Sequence, residues 1–406
     1  MTTLFAWRYF RSKKTTNAIN IIAWISMVAI ALVTAALIII LSVFNGFEDL
    51  VKSLYGDFYA DIKITTNKGK WIREGGNLAQ KIAAINGIKQ AESIVEERAI
   101  LLDQEDKSIV WLKGVSPEYI NASGVPAHLL HGKFETGSVD NPAVVLGSGV
   151  ENALQVTAGQ SIFPLTIYLP NRKAVSLSDP LEAMRSANAI PSGAFAIQQD
   201  FDNQYAFTNR QFMQYMLDLT SNEATAIEVY VKKNANIDRI QKSIETLLGE
   251  DYDIKNRYEQ NQNLYAAMQA ERLIIYAVAI LILIIAAFNI ISSLTMTVLE
   301  KQQDIAVLQA MGTTGKTVST IFLKLGAILA GLGGTIGFIM GVLICVGQQQ
   351  FHWIKLGGQS FIIDYYPVSM QLSDFIFVGI IILVIAFFSG WLPSRKAAKT
   401  AYSLKS

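Results

Sequence analysis

Four long apolar stretches, none containing Asp, Glu, Lys or Arg, limit what this 406-residue chain can fold into. They are Ile19–Phe44, Leu273–Leu299, Leu325–Val346 and Phe375–Leu392. A helix crossing a hydrocarbon core needs about 20 apolar residues, so each stretch reads as a membrane span. Between the first and second lies a long water-compatible segment, Asn45–Gln269. The expected fold is a polytopic α-helical membrane protein. It has four transmembrane helices and a large α+β extracytoplasmic domain between helices one and two. Only 17% of the chain is charged, against roughly 25% in soluble domains. A net charge of +1 gives no field of one sign to draw in nucleic acid.

The first stretch exceeds the roughly 7–15 apolar residues of a signal core, and Phe44-Asn45-Gly46-Phe47 is no small-residue cleavage site, so it is read as an uncleaved span. Basic residues set the expected orientation. Arg8, Arg11, Lys13 and Lys14 precede span one, Lys301 and Lys316 separate spans two and three, and Arg395, Lys396, Lys399 and Lys405 follow span four. The positive-inside rule puts all three groups in the cytoplasm. Both termini are then cytoplasmic and the large domain faces the other side.

The expected division is a cytoplasmic interfacial helix over 1–18, span one with the start of a stalk over 19–47, and the extracytoplasmic domain over 48–269. Span two follows at 270–299, a cytoplasmic helix at 300–316 and span three at 317–346. An extracytoplasmic loop covers 347–374, span four 375–393 and a cytoplasmic tail 394–406. Within the domain, alternation and helical spacing predict two strand–helix–strand units. One uses Asp61–Thr66, Asn77–Ile85 and Ser93–Leu102; the other uses Ala226–Val231, Ile237–Leu248 and Tyr252–Asn256. A mostly β insert at about 116–220 contains Ala143–Gly147, Phe163–Leu169 and Ala194–Gln198. Helical, polar stretches at both ends of the domain suggest stiff stalks.

No catalytic or metal-ligating set is legible. His128 and His131 lack the Cys or acidic partners of a zinc site. Gly147-Ser148-Gly149 is not a nucleophile elbow. Ala310–Thr317 nearly spells a phosphate-binding loop, but Ala310 stands where glycine is needed and apolar helices flank it. Gly312 reads there as a helix stop and Thr314 or Thr317 as a helix start. The one cysteine, Cys345, allows no disulfide within the chain. The segment Glu300–Gly312 reads better as a short amphipathic helix. Glu300, Lys301 and Asp304 decorate its start, and Ile305, Leu308 and Met311 form a stripe suited to docking in a partner's groove. Gly333, Gly337 and Gly341, at four-residue steps in span three, allow close helix packing. Asn289, Ser292 and Ser293 in span two predict a face turned toward protein.

Several local runs carry a resemblance: Ala6-Trp7-Arg8-Tyr9, Leu41–Glu48, Asn261–Tyr265, Phe288–Leu294, Glu300-Lys301, Asp304–Leu308 with Gly312, Pro367-Val368 and Leu392–Ala398. In this order they resemble the lipoprotein-releasing (Lol-type) permeases of ATP-driven transporters, within the wider macrolide-exporter and cell-division permease group. The resemblance covers nearly the whole chain. It implies a permease subunit that extracts acylated lipoproteins from a bacterial inner membrane and passes them to a periplasmic carrier. It implies a separate cytoplasmic ATPase, holding ATP and magnesium, docked on the helix matching Glu300–Gly312. It also implies a second permease subunit, the same chain or a relative, and contact with membrane lipid. No cofactor is expected on this chain itself. By position, the lipid-anchor cavity would draw on Ile38, Leu41, Phe44 and Phe47, with Ile285, Phe288 and Ile291 opposite. A carrier-recruiting hairpin would involve Pro170, Arg172 and Lys173. The competing readings are a peptide or drug exporter permease, a mechanical signalling permease that controls wall hydrolases, and a membrane-anchored binding domain without an ATPase.

Overall fold

The computed structural model describes residues 17–161, 163–171, 184–356 and 363–399, with side chains from residue 24 to residue 395. In chain order the elements are α1 (Asn17–Phe58), β1 (Ile62–Thr66), α2 (Gly75–Ala83), β2 (Ile88–Asp103), β3 (Asp106–Val115), β4 (Leu129–Gly132), β5 (Ala143–Gly147), β6 (Leu165–Pro170), β7 (Met184–Phe195) and β8 (Tyr205–Asn209). They continue with α3 (Arg210–Met216), β9 (Ala226–Val231), α4 (Ile237–Leu248), β10 (Tyr252–Asn256), α5 (Gln262–Glu300), α6 (Gln302–Ala310), α7 (Gly315–Phe351) and α8 (Leu372–Lys399). Short helical turns lie between some of these. The expected interfacial helix, Arg172, Lys173 and the last residues of the tail lie outside the described residues.

The chain divides into a membrane unit and a soluble unit, the latter formed mainly by Val51–Tyr265. In the soluble unit the described strands join in the order β10-β1-β9-β2-β3-β8-β5-β7-β4, with β6 pairing β2 and β7. The long strand β2 changes partner along its length. Ile88–Ile94 pairs with β9, whereas Val95–Asp103 pairs with β3. Before the change, isoleucines and Val229 of β1, β9, α2 and α4 close one core. After it, Val95, Leu101, Leu112, Leu146 and Ile167 pack against Phe212 and Met213 of α3. A third cluster is aromatic, with the Phe58 and Phe201 rings stacked at 4.0 Å.

Strands β5, β9 and β10 and helix α4 have the bounds the pattern predicts. Strand β7 does not: it starts at Met184, ahead of the expected Ala194. Its first half is polar and partly exposed, and it is held by antiparallel pairing with β6 rather than by burial. The pattern also passes over β8 and α3. There Asn209 ends a short buried strand and caps the helix, accepting hydrogen bonds from the N–H groups of Gln211 and Phe212.

Among the described residues, the helices long and apolar enough to cross a membrane are α1, α5, α7 and α8. A glycine seam joins α1 to α7. A Cβ on Gly337 would lie 2.2 Å from the Ala31 carbonyl oxygen, and one on Gly333 would lie 2.7 Å from that of Met27. Only glycine permits backbones to approach this closely. By contrast Gly331, on the same helix, would meet nothing within 4 Å.

Candidate functional site

Helix α6 is one of two places where the membrane unit carries a distinctive surface. It begins beside Lys301, which pairs with Asp304 at 3.2 Å. It ends before Gly312, whose φ of +90° is a left-handed conformation suited to glycine. The expected stripe is split. Ile305 is buried with Val298, Val318 and Ile321, and so anchors the helix to the ends of α5 and α7. Leu308 is half-buried. The exposed apolar side chains are Met311 and Val307, at 78% and 60%. Three-residue spacing marks a face without saying whether the chain's own spans or an outside partner covers it.

The second place is an apolar groove of about 440 Å³ between α5 and α8. Phe288 and Ile291 line it together with Leu283, Phe377, Ile381 and Val384. Ile285 is exposed on the same helix. The residues expected opposite, from α1, are not brought to this groove. Ile38 and Leu41 are buried in a cluster with Leu283, Cys345 and Val378. Phe44 is half-buried, and Phe47 stands edge-on to Tyr366. The physical reason is the seam: Ile38 packs where Gly341 leaves room, so this face of α1 is used inside the bundle.

A polar cluster that sequence reasoning missed sits beside these walls. The Arg272 guanidinium donates to Glu48 Oε2 at 2.9 Å and to Asn45 Oδ1 at 3.1 Å. The buried Asn45 amide in turn donates to Asp374, which also accepts from the Tyr276 hydroxyl at 3.1 Å. Signals existed in the motif Phe44–Glu48 and in Arg272 at the edge of an apolar run, but nothing in the order of residues paired them.

In the soluble unit, Lys113 Nζ lies 2.7 Å from Glu228 Oε1 and 3.2 Å from the Tyr119 hydroxyl, with both charged side chains only 3% exposed. Burial alone would lower the ammonium pKa. Glu228, with Tyr119 and Glu96, holds it above its ordinary range. Burial would likewise raise Glu96, but Lys63 and Lys113 bring it below the usual carboxylate value. His128 and His131 contact Asp57 and Glu151. Among the described residues no group of His, Cys, Asp and Glu is placed to hold a metal ion. Pro170 ends β6 opposite Met184, at the base of the expected hairpin.

Residues 23–247 match the family described as MacB-like periplasmic core domain, and residues 276–401 match FtsX-like permease C-terminal. The lipoprotein-releasing system transmembrane protein LolC of Neisseria meningitidis is 28% identical over 98% of each chain. The corresponding LolE of Haemophilus influenzae is 24% identical over 97% of this chain and 96% of its own. The periplasmic region of MacB from Actinobacillus actinomycetemcomitans, 15% identical, aligns over 53% of this chain and 98% of that one with a TM-score of 0.36.

Proposed function

Because this chain belongs to the family built on a MacB-like periplasmic core domain, matched over more than half its length, we propose that it is the permease subunit of an ATP-driven lipoprotein-releasing transporter. It sits in the inner membrane as a multi-pass protein with a periplasmic domain and extracts acylated lipoproteins for a periplasmic carrier. The observation that carries this reading is similarity to LolC and LolE over nearly the whole chain, spans and domain together.

The energetics explain the need for an external motor. Burying lipid chain is worth about 0.8 kcal/mol per methylene, so three chains of about fifteen methylenes hold on the order of 35 kcal/mol. The anchor must stay on apolar protein surface, and the affinity of that surface must change between states. The groove lined by Phe288 and Ile291 is such a surface. ATP and magnesium belong to a cytoplasmic ATPase that docks on α6 through Val307, Leu308 and Met311, with Glu300, Lys301 and Asp304 at its rim. This orientation puts both termini in the cytoplasm. A second permease subunit, identical or related, covers the exposed face of α5. Asn289 and Ser292 lie open on that face, and polar groups at membrane depth call for protein partners. The hairpin rooted at Pro170, with Arg172 and Lys173, is the proposed carrier contact.

The test is purification in mild detergent followed by reconstitution with labelled lipoprotein. ATP-dependent release to a carrier is expected. Val307→Glu with Met311→Glu should abolish ATPase co-purification while leaving a folded permease. Retention of the ATPase by that variant overturns the docking face, and absence of release overturns the cargo.

A further inference from the structure

The polar cluster joins three helices through side chains far apart in sequence. Asn45 and Glu48 lie one turn apart on α1, Arg272 and Tyr276 one turn apart on α5, and Asp374 stands in the first turn of α8. The chain leading into α8 is fitted against the same turn of α1. The Ser369 N–H donates to the Ser42 carbonyl at 2.8 Å. A Cβ on Gly46 would lie 2.3 Å from the Pro367 carbonyl oxygen. The motif residues Ser42, Asn45, Gly46, Glu48, Pro367 and Val368 thus converge on one spot.

Adhesion alone would not call for charge here. Buried ion pairs contribute little more than apolar packing of the same shape, and apolar packing is already present beside the cluster. Hydrogen bonds to charged groups are directional, so the cluster favours one arrangement of these helices over its neighbours. The cluster is only partly enclosed, since the Arg272 and Glu48 side chains are 35% and 12% exposed. Solvent can therefore take over the bonds when the helices part.

We propose that Asn45, Glu48, Arg272, Tyr276 and Asp374 form a latch that holds α1, α5 and the first turn of α8 together. Its release is the step that opens the bundle to an acyl chain. These are positioning residues, and the proposal rests on the permease reading above.

The test places spin labels at Asp49→Cys and Gln269→Cys, both exposed, in the full-length chain carrying Cys345→Ala and held in lipid nanodiscs. The unmodified latch should give one narrow distance distribution. Glu48→Arg sets two cations face to face and should add a longer-distance population. Glu48→Arg with Arg272→Glu should restore the short one. If the charge-reversed variant does not fold, Asp374→Asn carries the same expectation, because its amide faces the donors of Asn45 and Tyr276 with one acceptor fewer. A purely structural role predicts a lower melting temperature with a single unshifted distance. That result, or a swap that stays open, overturns the latch. The distance readout uses neither cargo nor ATPase, so failure of the lipoprotein reading would appear in the release assay alone.

Discussion

Both units bury charge, but they do so differently. In the soluble unit Lys113 of β3 and Glu228 of β9 face each other across β2, with both side chains 3% exposed. The Tyr230 hydroxyl satisfies the second carboxylate oxygen, and the rings of Phe58, Tyr119 and Phe207 surround the ammonium. Strand register fixes both partners, and water has little access. In the membrane unit Arg272 and Glu48 meet between α1 and α5, ten residues inside each helix, and stay partly exposed. The first arrangement resists opening because each charge would lose its main compensation in a dry site. The second can exchange protein bonds for water at lower cost. Charge is thus built in as a permanent brace in one unit and as a releasable contact in the other.

The largest effect should come from breaking the brace. Lys113→Ala leaves the Glu228 carboxylate buried without its cation and is expected to cost about 3–5 kcal/mol. Thermal melting and hydrogen exchange at β3 and β9 would measure it. A loss no greater than that of Arg272→Ala would erase the contrast between the two units. Next comes a test that the membrane unit is held by fit, with the latch only selecting among arrangements. Gly337→Leu drives a side chain into the Ala31 backbone, whereas Gly331→Leu enters open space. The first should destabilise by about 1–3 kcal/mol or more and the second by little, read as detergent melting temperatures. Equal effects would show that the seam is not where these helices are held.

The same contrast explains what could be read from the sequence. The spans were legible because a bilayer excludes charge, so absence of Asp, Glu, Lys and Arg is itself the signal. The glycine steps in α7 announced a close approach but not that α1 is the helix approached. Asn45 and Asp374 are 329 residues apart, and no local periodicity links such positions. Ile305 and Val307 differ in the same way. Both are apolar positions of a short helix, and only the neighbouring ends of α5 and α7 decide that the first is buried. Strand β7 was misplaced at its start because its polar half is paired but not buried. Local patterns report solvent, while pairing and site geometry depend on tertiary contacts.

The smallest expected effect asks whether compensation by a cation is what makes the brace stable. Asp202 is also buried in the soluble unit, but its Oδ1 accepts a backbone N–H, from Ile197 at 2.8 Å. Burial raises its pKa from an ordinary 3.8 to about 6, only partly offset by the N–H groups of Ile197 and Gln198. The unfolded chain therefore ionises first. Native stability gained from this group is full below about pH 4 and is lost as pH rises through about 6, where the folded carboxyl ionises too. Allowing for solvent screening, the loss should be about 1 kcal/mol. Asp202→Asn keeps an oxygen acceptor and cannot ionise, so it should flatten this part of the stability–pH profile in denaturant titrations. Glu228 has Lys113 bonded to it, whereas Asp202 is offset chiefly by two backbone amides, with His128 and Ser148 adding less. An unchanged slope in Asp202→Asn would mean that the backbone N–H groups compensate a carboxylate as well as a buried cation does, and the brace would lose its special standing.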